Sequence, residues 1–199
     1  QHNGSLINKI RSNGFNVHEL ELLEHNKIDN KLFYSSWLGV TQHKDANDCI
    51  GILKTIKTDW LIVDHYGLDE TWQRKLKSYY KKLMVVDDLG DRRHYCDLLL
   101  DQNFGSTQAK YHGLVDRNCK ILLGSKYALL RAEFSEWRDY SLKRRENMLQ
   151  VSTLLVTMGG VDLENYTEKV LQQLAKCKLD MNTEIQVVMW ERSPHLKKV

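Results

Sequence analysis

The chain has one proline, Pro194, in 199 residues. Polyproline segments and proline-rich linkers are therefore excluded, and helices and strands can run without interruption. No apolar run approaches the roughly 18 residues that a membrane-spanning helix needs, and no N-terminal stretch has the order of a signal peptide. Charge of one sign is not in excess, since 29 basic and 26 acidic side chains leave a net +3. That balance carries no electrostatic footprint for nucleic acid. The densest basic run, LKRRE at 142–146, has no interleaved aromatic residues and reads as a solvated helix face. Cysteine is sparse, and the four at 49, 96, 119 and 177 have no CxxC spacing. Three of them lie in or beside apolar runs, as buried free thiols do. His94 and Cys96 form an HxC pair with no partner motif after it. The expectation is a protein without a metal or cofactor in a reducing, cytoplasmic setting, with neither nucleic acid nor membrane as partner. Neither GxGxxG nor a Walker loop occurs, so dinucleotide and P-loop readings have no support.

Apolar residues make up 42% of the chain, enough to supply a core. SLINKIRSNG has Leu6, Ile7 and Ile10 on one helical face, with Ser5 as N-cap and Gly14 as the stop. FNVHELEL alternates like a strand. ANDCIGILKTIK has helical spacing, and WLIV at 60–63 is a short, continuous apolar strand. DETWQRKLKSYYKKL repeats the helical period through Trp72, Leu76, Tyr79 and Leu83, with Asp69 as its cap. KLMVVDD and CDLLLDQN are further strands, and CKILLGSKYALL is a strand entering a loop. Strands of this kind alternating with helices predict a parallel α/β sheet covered on both faces.

Each strand ends in polar residues: DHY at 64–66, DD at 87–88 and DQN at 101–103. Charge and imidazole are costly in a core. They are at home outside the carboxyl ends of parallel strands, where α/β proteins bind ligands. From about residue 132 the character changes. EFSEWRDYSLKRREN predicts a polar helical connector. STLLVTMGGVDLENYTEKVLQQLAKC then predicts a strand, a glycine turn and a helix, and TEIQVVMW opens another strand. The expected organisation is a Rossmann-like domain over 1–131, a connector over 132–150 and the start of a second α/β domain over 151–199. Gly159 and Gly160 let the backbone approach a ligand closely, and Asn165 is placed to cap the following helix with Glu168 in a box-like pattern. Free amides at that helix start favour an anion such as a diphosphate. The bland reading is a tight strand-to-helix turn.

Taken in order, VDHYGLD, VVDDLGDRRHYCDLLLDQN, LLGSKYALLRAEF and VTMGGVDLEN resemble the UDP-2,4-diacetamido-2,4,6-trideoxy-β-L-altropyranose hydrolase family of pseudaminic acid biosynthesis. The resemblance implies a two-domain GT-B architecture and metal-independent, inverting removal of UDP from the sugar. It implies the substrate as partner and leaves the oligomeric state open. The family's N-terminal GxGH loop, which carries its general-base histidine, has no match here, and the chain begins at Gln1 and ends at Val199 as if cut. The chain alone is therefore expected to bind UDP weakly and not to hydrolyse the sugar.

Hydrolysis at an anomeric carbon requires an activated water, a stabilised leaving group and a held sugar. Tyr66 matches a site tyrosine of the family and is the first catalytic candidate, followed by Asp64 and His65. Strand alternation sends His65 to the face opposite its neighbours, where a structural role competes. Asn103 and Arg131 are candidates for the sugar or phosphates, and Gly159, Gly160, Asp162 and Asn165 for the diphosphate. Asp87 and Asp88 read as loop-holding groups bonded to Arg92 or Arg93. A GT-B glycosyltransferase with the same donor, or an inactive nucleotide-sugar-binding fragment, remains as an alternative.

Overall fold

Four short apolar segments pair side by side in the order in which they occur. The structure, a computed structural model, describes residues 6–20, 32–146, 150–159, 162–190 and 193–199. It divides into two compact units, Gln1–Leu129 and Leu130–Val199.

In the first unit β1 (Trp60–Val63), β2 (Lys82–Val86), β3 (Leu98–Asp101) and β4 (Lys120–Leu123) form one parallel sheet in the order β1-β2-β3-β4. The register sets Val63 beside Val85, Val86 beside Leu100, and Asp101 beside Leu123. All four carboxyl ends therefore lie along one edge. This is a Rossmann-like α/β sheet.

The helices ahead of it are α1 (Ile7–Ser12), α2 (Ser35–Leu38) and α3 (Gln42–Leu53), with α4 (Glu70–Lys75) in the first crossover. Thr41 caps α3 by accepting from the Lys44 amide at 3.2 Å, and Asp69 caps α4 by accepting from the Thr71 amide at 2.8 Å. One face of the sheet is packed by Ala46 and Leu53 of α3 and by Leu68, Trp72 and Leu76, which close on Val63, Leu83 and Val85. The Trp72 indole N–H donates to the Asp45 carboxylate at 2.7 Å, which satisfies the one polar atom that the ring buries.

Several expectations change. Residues 15–20 of the FNVHELEL segment form no strand, and the remainder of that segment lies outside the described residues, as does Ser5. The α4 pattern does not continue to Leu83. The helix stops at Lys75, a 3-10 turn follows over Lys77–Tyr79, and Tyr80 is extended at φ −143°, so Leu83 belongs to β2. Continuous apolar strands were expected to be covered on both faces. At β1, the edge strand, Trp60 and Ile62 are 52% and 62% exposed, because only the face bearing Val63 is packed by the helices.

The second unit contains α5 (Ala132–Glu146), β5 (Thr153–Thr157), α6 (Tyr166–Leu174) and β6 (Glu184–Val188). β5 and β6 pair in parallel, from Thr153 beside Glu184 to Thr157 beside Val188. Among the described residues no helix is long and apolar enough to cross a membrane.

Candidate functional site

The polar residues that end β1, β2 and β3 meet around one carboxylate. Asp88 follows β2, in the interior of the sheet order. The Tyr66 hydroxyl, from the β1 side, donates to Asp88 Oδ1 at 2.6 Å. The Asn103 amide, from the β3 side, donates to Asp88 Oδ2 at 2.9 Å. Each carboxylate oxygen thus has one fixed donor and keeps lone pairs for another. The bond to Asp88, helped by burial, pushes the Tyr66 hydroxyl up to about 12. Tyr66 therefore keeps its proton across the physiological range.

Asp87 and Asp88 are adjacent but go separate ways. Asp87 is fully buried, with Arg92 Nη2 2.8 Å from its Oδ1 and the Gly90 amide donating to Oδ2 at 3.0 Å. Burial pushes its carboxyl up, but His94 at 3.8 Å, the Gly90 amide and Arg92 more than offset that and hold it at about 2. Arg92 also donates through Nε to the Leu68 carbonyl at 2.9 Å. The loop-holding role expected of both acids falls to Asp87 alone. Asp88 is instead the hub of the site, and sequence reasoning missed this because two adjacent acids at a strand end look equivalent. Opposite side-chain directions separate them.

A second acid supports the edge from β3. Asp101 accepts from the Ser106 hydroxyl at 2.6 Å, Lys110 Nζ at 2.9 Å and the Tyr111 hydroxyl at 2.9 Å, and from the Asn103 backbone N–H at 3.1 Å. Burial raises the Asp101 carboxyl, but the bonds from Lys110 and Ser106 lead those that bring it below its ordinary range. Lys110 also donates to the Asp88 carbonyl, and the single Tyr111 hydroxyl proton is shared between Asp101 and the Asp87 carbonyl, which lies 2.8 Å from the hydroxyl oxygen. The β3 loop is in this way tied to the β2 loop. Gly90 is required at this point. Its φ is +62°, and a Cβ there would sit 2.6 Å from Lys110 Cγ.

Tyr66 also belongs to an aromatic group, with ring centroids 5.2 Å from Tyr34 and 6.0 Å from Trp37. Trp37 is 57% exposed. The two residues before Tyr66 are placed differently. Asp64 is exposed at the strand end. His65 Nδ1 accepts from the Gly67 amide at 3.0 Å, and burial lowers its pKa, so it stands as a neutral ring bonded to its own turn. Its geometry is that of the structural alternative. Tyr66 and Asn103 are thus brought together, while Asp64 and His65 lie beside them.

Arg131, Gly159, Asp162 and Asn165 belong to the second unit, and Gly160 lies outside the described residues. Arg131 is exposed, with its guanidinium 5.7 Å from the Phe134 ring centre. Gly159 has φ +76°, with nothing within 4 Å of a Cβ position. The amides at the start of α6 are not free as expected. Asp162 accepts from the Tyr166 amide at 2.8 Å, the Thr167 amide at 2.9 Å and the Thr167 hydroxyl at 2.6 Å, and Asn165 accepts from the Glu168 amide at 3.4 Å. A side-chain carboxylate already occupies the place where an anion would gain most from the helix dipole. Both capping residues adopt left-handed backbone, at φ 46° and 52°.

His94 and Cys96 do not act together. His94 is buried against Gln73 at 2.9 Å, and Cys96 meets Cys119. Among the described residues no group of three or more His, Cys, Asp or Glu side chains is placed to hold a metal ion.

No protein-family profile matches the chain. It is 31% identical over 154 residues to the UDP-2,4-diacetamido-2,4,6-trideoxy-beta-L-altropyranose hydrolase of Campylobacter jejuni, covering 76% of this chain and 52% of that protein. It is 30% identical over 185 residues to an uncharacterized protein of Methanocaldococcus jannaschii, covering 91% of this chain and 37% of that protein. The chain thus matches about half the length of the first relative and less of the second, and its relationship to the hydrolase is a distant one.

Proposed function

We propose that this chain carries the sugar-binding part of a UDP-sugar hydrolase, which cleaves a UDP-linked 2,4-diacetamido-2,4,6-trideoxyhexose to UDP and the free sugar with inversion. The observation that supports this reading is the convergence of Tyr66 and Asn103 on Asp88 at the strand ends, in a distant relative of such an enzyme. In the reaction, water attacks the anomeric carbon from the face opposite the diphosphate. The carbon–oxygen bond to the diphosphate breaks, UDP leaves with the electron pair, and the proton of the water passes to a base. A diphosphate is a good leaving group and needs no strong general acid at its oxygen.

The two cations that reach the β2 and β3 loops are already paired. Arg92 is matched by Asp87 and Lys110 by Asp101, which leaves Asp88 and the exposed Asp64. The surroundings of Asp88 therefore accept hydroxyl and amide N–H donors, and among the described residues the exposed Lys126 after β4 is the cation left at the edge. Asp88 would take a hydroxyl or acetamido N–H of the sugar on the lone pairs that Tyr66 and Asn103 leave open. Tyr34, Trp37 and Tyr66 would supply apolar ring surface to its methyl and acetyl groups. Tyr66 would act through Asp88 and orient the water through its own remaining lone pair.

In the second unit, taken by itself, Gly159 would let a phosphate approach the backbone, with Asp162 and Asn165 shaping the turn and Arg131 available as a cation. These assignments, the place of Gly160 and the GT-B architecture rest on the resemblance.

Incubating the intact protein that carries this sequence with UDP-2,4-diacetamido-2,4,6-trideoxy-β-L-altropyranose, with proton NMR of the anomeric signal and an assay for UDP, tests the proposal; the 199-residue chain by itself is expected to release none. Equimolar UDP and a sugar of inverted configuration are expected, at a rate that EDTA leaves unchanged. Sugar transfer to an added glycan without hydrolysis in water would make the protein a glycosyltransferase instead.

A further inference from the structure

At the opposite edge of the first sheet, two cysteines 23 positions apart in sequence face each other. Cys96 lies two residues before β3 and Cys119 immediately before β4, and their Sγ atoms are 3.6 Å apart. The Lys120 amide donates to the Asp97 carbonyl at 2.9 Å, so the backbones that carry them are already laced together. Both line a cleft of about 190 Å³ whose other walls include Lys77, Tyr95, Asp116 and Asn118. Neither sulfur takes part in the site around Asp88.

We propose that Cys96 and Cys119 form a redox modification site, which a peroxide converts to an intramolecular disulfide. A disulfide requires the sulfurs at about 2.05 Å, so the closure asked for is about 1.5 Å, within reach of side-chain rotation combined with a small backbone shift. The two thiols share a hydrogen bond, and with Cys96 as its donor the bond lowers the Cys119 pKa and makes that sulfur the better nucleophile. That same bond, and then burial, hold the proton on Cys96.

The Cys119 thiolate attacks one peroxide oxygen. The oxygen–oxygen bond breaks, the departing hydroxide takes a proton as water, and Cys119 becomes a sulfenic acid. Cys96 sulfur then attacks Cys119 sulfur. The S–S bond forms, the S–O bond breaks, and the leaving hydroxide takes the Cys96 proton as a second water. The two thiols together lose two electrons and two hydrogens, and the peroxide is reduced to two waters. The cross-link ties β3 to β4 and closes the segment bearing Asn103, Ser106, Lys110 and Tyr111, which restricts the unfolded chain more than the folded one.

The test uses Cys177→Ser protein, because Cys177 is exposed and would confuse the count. Burial, aided by Asp45, pushes Cys49 up to about 12, so it serves as the internal unreactive thiol. The folded protein is treated with hydrogen peroxide, quenched with catalase, unfolded, alkylated, digested and weighed. The expected result is alkylation at Cys49 alone, a linked peptide joining Cys96 to Cys119, recovery of all thiols with dithiothreitol, and a raised melting temperature. Retention of every thiol, oxygen added at Cys96 or Cys119 without a link, or a link to Cys49 would overturn the proposal. Cys96→Ser in the same background should form no internal link. If that variant misfolds, the peptide map of the protein retaining both cysteines decides the matter, and the map is independent of any hydrolase activity.

Discussion

Asp87→Asn removes one negative charge and almost no volume from the loop that presents Asp88, so its effect is nearly pure electrostatics. The Asp87 carboxyl is held at about 2 in the folded protein, against about 3.9 in an unfolded chain. That separation corresponds to about 2–3 kcal/mol of stability at neutral pH. The full cost is larger, because Arg92, 3% exposed at its side chain and 2.8 Å from Asp87, loses its counter-charge. Breaking a buried pair on one side costs about 3–5 kcal/mol. Against a total stability of about 5–15 kcal/mol, this would be a severe lesion.

The sign of the pH dependence follows from the depressed carboxyl. Its contribution is fully present above about pH 4 and is lost as pH falls through about 2. The variant has no such carboxyl, so the gap between parent and variant should be constant from about pH 5 to 8 and narrow on acidification. Urea unfolding at a series of pH values, followed by tryptophan fluorescence, measures both. A gap below about 1 kcal/mol at pH 7, or one of unchanged size at pH 2.5, would refute the assignment of Asp87 and Arg92 as the pair that holds the loop.

Tyr66→Phe in the intact protein that carries this sequence should lower UDP release by roughly ten- to a thousandfold, with the melting temperature changed by no more than a few degrees. Turnover equal to the parent's would remove Tyr66 from the reaction. Gly90→Ala should destabilise the protein by about 1–3 kcal/mol, from left-handed backbone strain and displacement of Lys110, read as a lower urea midpoint at an unchanged slope. Asp45→Ala leaves the buried Trp72 indole N–H without its acceptor and should cost about 1–3 kcal/mol. An unchanged midpoint would mean that water or another acceptor replaces the carboxylate.

Much of the architecture was readable in the chain. The runs WLIV, KLMVV, LLLD and KILL are strands, because short apolar segments bounded by polar residues have few other ways to bury themselves. The residues that end them sit at one edge, because parallel strands with crossover connections leave no other arrangement. Asp69 and Asn165 cap their helices as their positions suggested, since a cap is set by contacts only a few residues away.

What the chain alone left open depended on neighbours distant in sequence. Asp88 meets Tyr66, 22 positions before it, and Asn103, 15 positions after it, only because β1 and β3 flank β2. Local periodicity encodes no strand order. The pattern of FNVHELEL suggests a strand, yet residues 15–20 form none, and alternation along the chain does not encode the pairing partner a strand needs. Asp162 takes the amides at the start of α6 because a left-handed turn folds its carboxylate back onto them, and spacing does not announce such a turn. Sequence by itself determined which segments could be buried and where each must turn polar, because burial and local hydrogen bonding act residue by residue. Tertiary structure decided which of those polar ends share a proton, a charge or a carboxylate, because hydrogen bonds and ion pairs form only between groups that the completed sheet brings within about 3 Å.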